Sequence, residues 1–245
     1  MNLKNTSFYL YGIDALTVVR NLIFFSLFPL LGAFLLSFIP HPVWSWIGVS
    51  YFILVTISLL IVCLWMVYSS IILKPRILTE LVRSLHLTGS EQVLDIGCGT
   101  GLFTIMIAKR LTTGKAHGID LWDSKDQSGN KLEKTLVNLR LERVKDKVEI
   151  QTANMCSLPY PSQTFDKVVS SLAIHNAPNK LEREKALSEI LRVLKPGGTF
   201  ILIDLHFGKQ YARYFNQTGI SSAFCSKPFF FYCPPIRVVT GKKKI

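Results

Sequence analysis

The chain has 245 residues, 28 Lys+Arg against 16 Asp+Glu, a formal net charge of +12 and 49% hydrophobic residues. That length allows one ordinary domain with an addition, or two very small ones. Charged residues at 18% exclude overall disorder, and 15 glycines with 11 prolines exclude collagen-like and low-complexity chains.

The mean hydropathy of +0.32 is high, and its source lies at the front of the chain. Residues 1–73 carry only Lys4, Asp14 and Arg20 as formal charges, while the remainder has a net charge of +11. Leu22 to Ile39 is an uncharged, mostly apolar run of 18 residues, ended by Pro40-His41-Pro42. As a helix it reaches about 27 Å, enough for a hydrocarbon core. Pro29 and Gly32 inside it are tolerated in membrane helices. Val43 to Leu73 is a second uncharged run of 31 residues, with Trp44 and Trp46 near one end and Trp65 and Tyr68 near the other. These aromatics suit the two interfaces of a bilayer. The expectation is a membrane anchor over residues 1–75, with transmembrane helices at about 22–39 and 46–70, followed by a water-facing domain over 76–245. Lys4 and Arg20 precede the first span, Lys74, Arg76 and Arg83 follow the second, and the connecting loop has no basic residue but a histidine. The positive-inside rule puts both termini and the large domain in the cytoplasm. Five cysteines, odd in number and without a CxxC pair or zinc spacing, suit reduced thiols there and no metal site.

From about Glu91 the pattern alternates. Val93–Ile96 reads as a buried strand, Leu102–Leu111 as a helix and Ala116–Leu121 as a second strand. Ser128 is placed to cap a helix through about Val144. Val148–Thr152 and Lys167–Leu172 are the third and fourth strands, and Leu181–Leu194 is a helix. Lys195-Pro196-Gly197-Gly198 forms a turn before a fifth strand, Thr199–Asp204. Strands alternating with helices predict right-handed crossovers and an α/β, doubly wound, mostly parallel sheet. Ligands in such sheets bind beyond the carboxyl ends of the strands, at the topological switch point.

The first strand runs into Asp95-Ile-Gly97-Cys98-Gly99-Thr-Gly101. The glycines permit positive φ and let a ligand approach the backbone. A dinucleotide fingerprint needs its third glycine at 102, where Leu102 stands, and this disfavours a nicotinamide-dependent oxidoreductase. A carboxylate two positions before the first glycine suits a cationic amino group better than a pyrophosphate. The motif resembles motif I of the class I S-adenosylmethionine-dependent methyltransferases, in a type 11-like domain, and the resemblance covers roughly residues 76–245. Gly118-Ile119-Asp120, Leu158-Pro159-Tyr160, Phe165-Asp166 and Leu194-Lys195-Pro196-Gly197-Gly198 extend it in order. It implies a seven-stranded Rossmann-like sheet closed by an antiparallel hairpin, S-adenosyl-L-methionine as cofactor, and methyl transfer as the activity. It also implies that Asp120 bonds the ribose hydroxyls and that Asn154, in place of the family's common aspartate, meets the adenine beside Met155. Asp95, Gly97, Cys98, Gly99, Gly101, Leu121 and Ser171 complete the expected cofactor-binding set. Cys98 reads as a small buried filler and not a nucleophile.

The segment after the fourth strand, Ser170 to Asn176, lines the expected acceptor side. Its His175 is either a general base, since imidazole titrates near neutrality, or a loop histidine bonding backbone. Trp122 to Asn130 either contacts a ligand or caps the next helix. The aromatic run Pro228 to Pro235 is either core or a greasy surface facing lipid or acceptor, and Lys242–Lys244 reads as a solvated terminus. No basic stripe with interleaved aromatics indicates nucleic acid, and a negatively charged inner leaflet accounts for the positive charge. A tethered methyltransferase suggests a lipophilic acceptor such as a lipid or quinone precursor. A protein or a soluble metabolite as acceptor, and a non-catalytic cofactor-binding module, are the competing readings.

Overall fold

The structure, a computed structural model, describes residues 11–13, 16–40, 42–123, 130–220 and 222–245. Two long apolar helices come first, α1 (Leu16–Leu36) and α2 (Pro42–Tyr68). They pack against each other through small residues. A Cβ on Gly48 would lie 2.6 Å from Leu36 Cδ1, so a larger side chain would push the pair apart. Ser26, Ala33 and Thr56 are buried between them, while Phe24, Phe28, Leu35, Leu54 and Leu64 are more than half exposed. Only 17% and 11% of their most apolar windows are buried, unlike the core helices of a soluble protein. Both are long and apolar enough to cross a membrane. The first helix begins six residues before the expected Leu22, because helical hydrogen bonding continues back through Arg20 where hydrophobicity ends. It stops at Leu36, and Ser37 then folds back with its hydroxyl on Phe34 O.

α2 does not end where its apolar run ends. A π-helical turn, Ser69–Leu73, joins it to α3 (Lys74–Ser84), so helix continues across the expected 75/76 boundary. Pro75 is accepted because it sits in the first turn of α3. Leu78 and Val82 of α3 are buried in the core of the sheet domain.

Among the described residues the sheet has seven strands in the order β3-β2-β1-β4-β5-β7-β6. They are β1 (Gln92–Ile96), β2 (Lys115–Asp120), β3 (Val148–Thr152), β4 (Phe165–Ser171), β5 (Leu194–Asp204), β6 (Phe224–Cys225) and β7 (Arg237–Lys242). β1 to β5 are parallel, and β7 runs antiparallel to both β5 and β6. The helices are α4 (Leu102–Ala108), α5 (Leu132–Leu141), α6 (Lys180–Val193) and α7 (Gly208–Gln217). The central strands are buried on both faces, and the alternation of strand residues builds two cores. Val93, Ile201 and Ile203 face one core with Leu78, Phe103 and Ile107. Leu94, Phe200 and Leu202 face the other with Leu187, Ile190 and Phe215.

Several local expectations change. The helix assigned from Ser128 to Val144 spans only Leu132–Leu141. Ser128 lies outside the described residues, and Lys131, at the N-cap, makes no side-chain cap bond. Lys195 to Gly198, expected as a turn, falls within the span of β5, but the ladder to β4 skips from Phe165–Leu194 to Lys167–Thr199 and Gly197 has φ +74°, so these four residues bulge out of register, with Lys195 Nζ on Asp166 Oδ1 at 2.8 Å. Lys243 is not a solvated terminal charge. Its ammonium donates to Leu191 O and Leu194 O at 2.6 and 2.7 Å, satisfying carbonyls at the end of α6.

Candidate active site

The strand order reverses between β1 and β4, and the main cleft opens there, with about 1210 Å³ of empty space including open solvent. Of the residues expected to bind cofactor, Asp95, Gly97, Cys98, Gly99, Asp120, Leu121, Met155 and Ser171 line it, together with His175. Gly101 stands just behind this wall as the N-cap of α4, with φ +89°. Asn154 is not on the wall: its Oδ1 accepts from Cys156 N at 2.9 Å, forming a local turn, while its neighbours Ala153 and Met155 face the cleft.

The floor is a crossing of two loops. Gly97 has φ +71°, and Gly97 N and Cys98 N both donate to Ile119 O, at 2.8 and 2.9 Å. A Cβ on Gly97 would lie 2.2 Å from Ala173 Cβ, so the loops after β1 and β4 touch at that point. Leu172, next to it, also takes a left-handed conformation (φ +58°), costly for a branched side chain.

Asp120 organises the second wall. Its Oδ2 accepts from Gly99 N at 2.9 Å, and its Oδ1 accepts from Trp122 N at 2.7 Å and Asn130 Nδ2 at 3.0 Å. A carboxylate offers about four lone-pair positions, so one remains for a ligand hydroxyl. Trp122 holds φ +60° and its indole N–H donates to Thr152 Oγ1, binding the loop back to β3. The rest of the loop, 124–129, lies outside the described residues.

Asp95 is 2% exposed, and its Oδ2 accepts from Thr104 Oγ1 at 2.6 Å. Among the described residues its buried Oδ1 has no hydrogen-bond partner, and neither has Asn130 Oδ1. Two orphaned acceptors on the cleft wall call for a ligand that donates. S-Adenosylmethionine, with an ammonium group and ribose hydroxyls, fits this donor-poor pair and the glycine cradle. Burial pushes the Asp95 carboxyl from 3.8 up to about 7, opposed by the Thr104 bond and aided by repulsion from Asp120. Between those two values the folded chain holds a proton that the unfolded chain lacks, so Asp95 costs stability as pH rises through this window and no further above it. Cys98 is buried, and burial with the two carboxylates pushes its thiol well up, which leaves it an inert filler.

On the acceptor side His175 is joined to a residue that sequence reasoning passed over. Its Nδ1 lies against Asp204 Oδ1, and its backbone N–H donates to Asp204 Oδ2 at 3.0 Å. Asp204, 1% exposed at the end of β5, also accepts from Leu205 N and Tyr211 Oη. The available signal was an aspartate ending a strand, as Asp120 does. Tyr11, Gly12, Ser70 and Lys74 were missed as well: they close the cleft from the side of the apolar helices. Thr100 Oγ1 donates to Tyr11 O at 3.0 Å, pinning that segment across the glycine loop. No periodicity connects Tyr11 or Ser70 to a strand end far along the chain.

A family described as "Methyltransferase domain" matches residues 94–202. The demethylmenaquinone methyltransferase of Symbiobacterium thermophilum is 32% identical over 136 residues, 55% of this chain and 50% of that protein. The chain spans about half the length of the curated relatives it matches. A SAM-dependent methyltransferase from Aquifex aeolicus superposes with TM-score 0.54 at 18% identity, over 68% of this chain and 89% of that one. The [4+2]-cyclase SpnF gives TM-score 0.57 at 20% identity, over 70% and 82%, so the fold is shared with a protein of another named reaction. Residues 94–202 match the methyltransferase-domain family, and the sheet domain around them shares the fold of these solved structures.

Proposed function

We propose that this chain is a membrane-anchored methyltransferase that transfers the methyl group of S-adenosylmethionine to a lipophilic acceptor of the quinone type. Residues 1–75 are the anchor and 76–245 the catalytic domain, with both ends and the domain on the cytoplasmic side. The observation carrying this reading is that the cofactor cleft is walled on one side by Tyr11, Ser70 and Lys74, at the ends of the apolar helix pair. An acceptor dissolved in the bilayer would therefore meet the cleft where the helices leave the membrane. The relatives named demethylmenaquinone methyltransferases support a quinone acceptor.

The bound cofactor supplies a methyl group already activated by its sulfonium charge. The chain supplies position: Asp120 and Asn130 hold the ribose side, Asp95 the amino-acid end, and the glycine loop brings backbone close to both. Asn154 stays in the proposed cofactor set only as a neighbour of the adenine side, through its turn. His175 takes the proton that a hydroxyl or ring-carbon acceptor must lose as its new bond to the methyl carbon forms. Asp204 lies against the imidazole Nδ1 and holds the His175 backbone N–H, leaving Nε2 as the atom that takes the proton.

The test uses full-length protein in detergent with methyl-labelled S-adenosylmethionine and a total membrane extract. Label in the organic phase, lost in Asp120→Ala, is the expected result. Label confined to protein or to the aqueous phase would replace the acceptor class, and cofactor binding without label in any fraction would favour a non-catalytic module. His175→Ala should lower turnover about a hundredfold while leaving cofactor affinity within about twofold. Unchanged turnover would remove the base from the mechanism.

Asp95 makes a separate prediction. A cationic ligand binds the ionised carboxylate, and the free group holds its proton up to about 7. Affinity for S-adenosylmethionine should therefore rise about tenfold between roughly pH 6 and pH 8, with proton release on binding. Titration calorimetry in two buffers of different ionisation enthalpy reads both. Asp95→Asn should flatten the profile.

A further inference from the structure

Between β6 and β7 the chain carries three consecutive phenylalanines, Phe229, Phe230 and Phe231, which are 42%, 73% and 67% exposed. Large aromatic side chains presented to water side by side are unusual on a soluble surface. Their neighbours show that the segment is held firmly. Phe229 N donates to Ile236 O at 2.8 Å, closing the loop on itself. Tyr232, the next residue, is 2% exposed and sits in the core with Ile236.

The loop is also fastened to the apolar helix pair. Trp65, in the last turn of α2, donates its indole N–H to Phe231 O at 3.1 Å. Ser69 Oγ accepts from Cys233 N at 3.0 Å, and the Cys233 side chain packs on the cluster of Val19, Cys63 and Met66 between the two helices. The phenylalanines therefore stand level with Trp65, the aromatic that marks the exit of α2 from its apolar stretch. Lys227, exposed at the base of the loop, is placed to meet anionic headgroups.

The geometry points to a third membrane contact: the Phe229–Phe231 loop is an aromatic wedge seated in the headgroup–acyl boundary of the bilayer that α1 and α2 cross. Its occupant is lipid, because the loop continues the lipid-facing surface of α2 and is bonded to its belt tryptophan. The wedge does not span. It stops the sheet domain from swinging about the single helical connection through Ser69–Leu73, and it holds the cleft, whose wall includes Ser70, against the membrane surface. This inference rests on the reading of α1 and α2 as membrane spans.

The full-length chain in lipid nanodiscs tests it, with the photoreactive residue p-benzoylphenylalanine replacing Phe230. Two control positions carry the same probe: Leu64, 71% exposed on α2, and Leu181, 62% exposed on α6. On illumination, phospholipid adducts at Phe230 should form at least about tenfold more often than at Leu181 and approach the yield at Leu64. Adducts at Leu64 with none above background at Phe230 would overturn the wedge and leave the spans standing. A protein adduct at Phe230, to a second copy of the chain, would overturn it in favour of a protein contact. Absence of lipid adducts at both Leu64 and Phe230 would overturn the spanning reading and the wedge together.

Discussion

Gly97→Ala is expected to abolish detectable binding of S-adenosylmethionine and to lower the melting temperature by about 8 °C, the equivalent of about 3 kcal/mol for a chain of this size. Two costs combine. Gly97 holds φ +71°, and a left-handed conformation costs a residue with a Cβ about 1–2 kcal/mol. The new Cβ would also lie 2.2 Å from Ala173 Cβ, a separation that real side chains do not tolerate. Overpacking of this kind costs about 1–3 kcal/mol. The clash has no flexible end to yield, since Ala173 is fixed by the left-handed Leu172 before it and the helical turn Ile174–Asn176 after it. Relief must come from separating the loops after β1 and β4, and that opens the floor on which the cofactor rests. A double substitution divides the two costs. Gly97→Ala with Ala173→Gly should recover the steric part and leave the backbone part, so that about half of the melting shift returns. Thermal unfolding in detergent and calorimetric titration of the cofactor read the two effects separately. A single variant that binds cofactor with native affinity would show that this crossing is not the cofactor floor.

Asp204→Asn should lower turnover about a hundredfold while leaving cofactor affinity within about twofold. The carboxylate gathers donors: His175 N, Leu205 N and Tyr211 Oη, besides its contact with the His175 ring. Burial and Asp204 push the Tyr211 hydroxyl well up, so it stays a donor and needs an acceptor. An amide keeps the shape and one acceptor oxygen, but it turns an N–H toward groups that are themselves donors. The imidazole then loses the carboxylate charge beside its Nδ1. Asp204→Ala goes further and strands several buried donors, at a cost of about 3 kcal/mol or more. Asp204 acts through His175 and is a positioning residue, so the distinguishing readout is a fall in kcat with an unchanged cofactor dissociation constant. Equal loss of both would mean that the substitution deforms the cleft as a whole.

Much of the architecture was legible because it rests on local rules. Val93–Ile96 reads as a buried strand and is buried, while Val148–Thr152, with its alternating apolar and polar residues, is β3 to the residue at the sheet edge. The glycine loop with Asp95 before it was legible from its spacing, the resemblance added Asp120 at the end of the next strand, and the structure brings them to one cleft. The apolar helices were legible by length and charge, though their ends were not. Hydrogen bonding carries α1 back past Arg20 and α2 forward through a π-helical turn into the charged α3, and hydropathy does not report where backbone hydrogen bonding continues. Helix α7 was legible too, since its buried Gly208, Tyr211, Ala212 and Phe215 recur at the i, i+3, i+4, i+7 spacing of an amphipathic helix, but it was not among the expected elements.

Composition and periodicity were enough to determine a parallel α/β sheet, a glycine turn after its first strand and an apolar helix pair, because each follows from neighbours a few residues apart, while the cofactor came from a family resemblance. The tertiary structure alone decided what meets across the sheet. It placed Asp204 against His175, Lys195 against Asp166, Lys243 on the carbonyls of α6, and Tyr11 with Ser70 over the cleft. It also set the Phe229–Phe231 loop beside Trp65, 166 positions earlier in the chain. Such contacts depend on strand order and on the direction in which each strand end points, and a one-dimensional pattern carries neither.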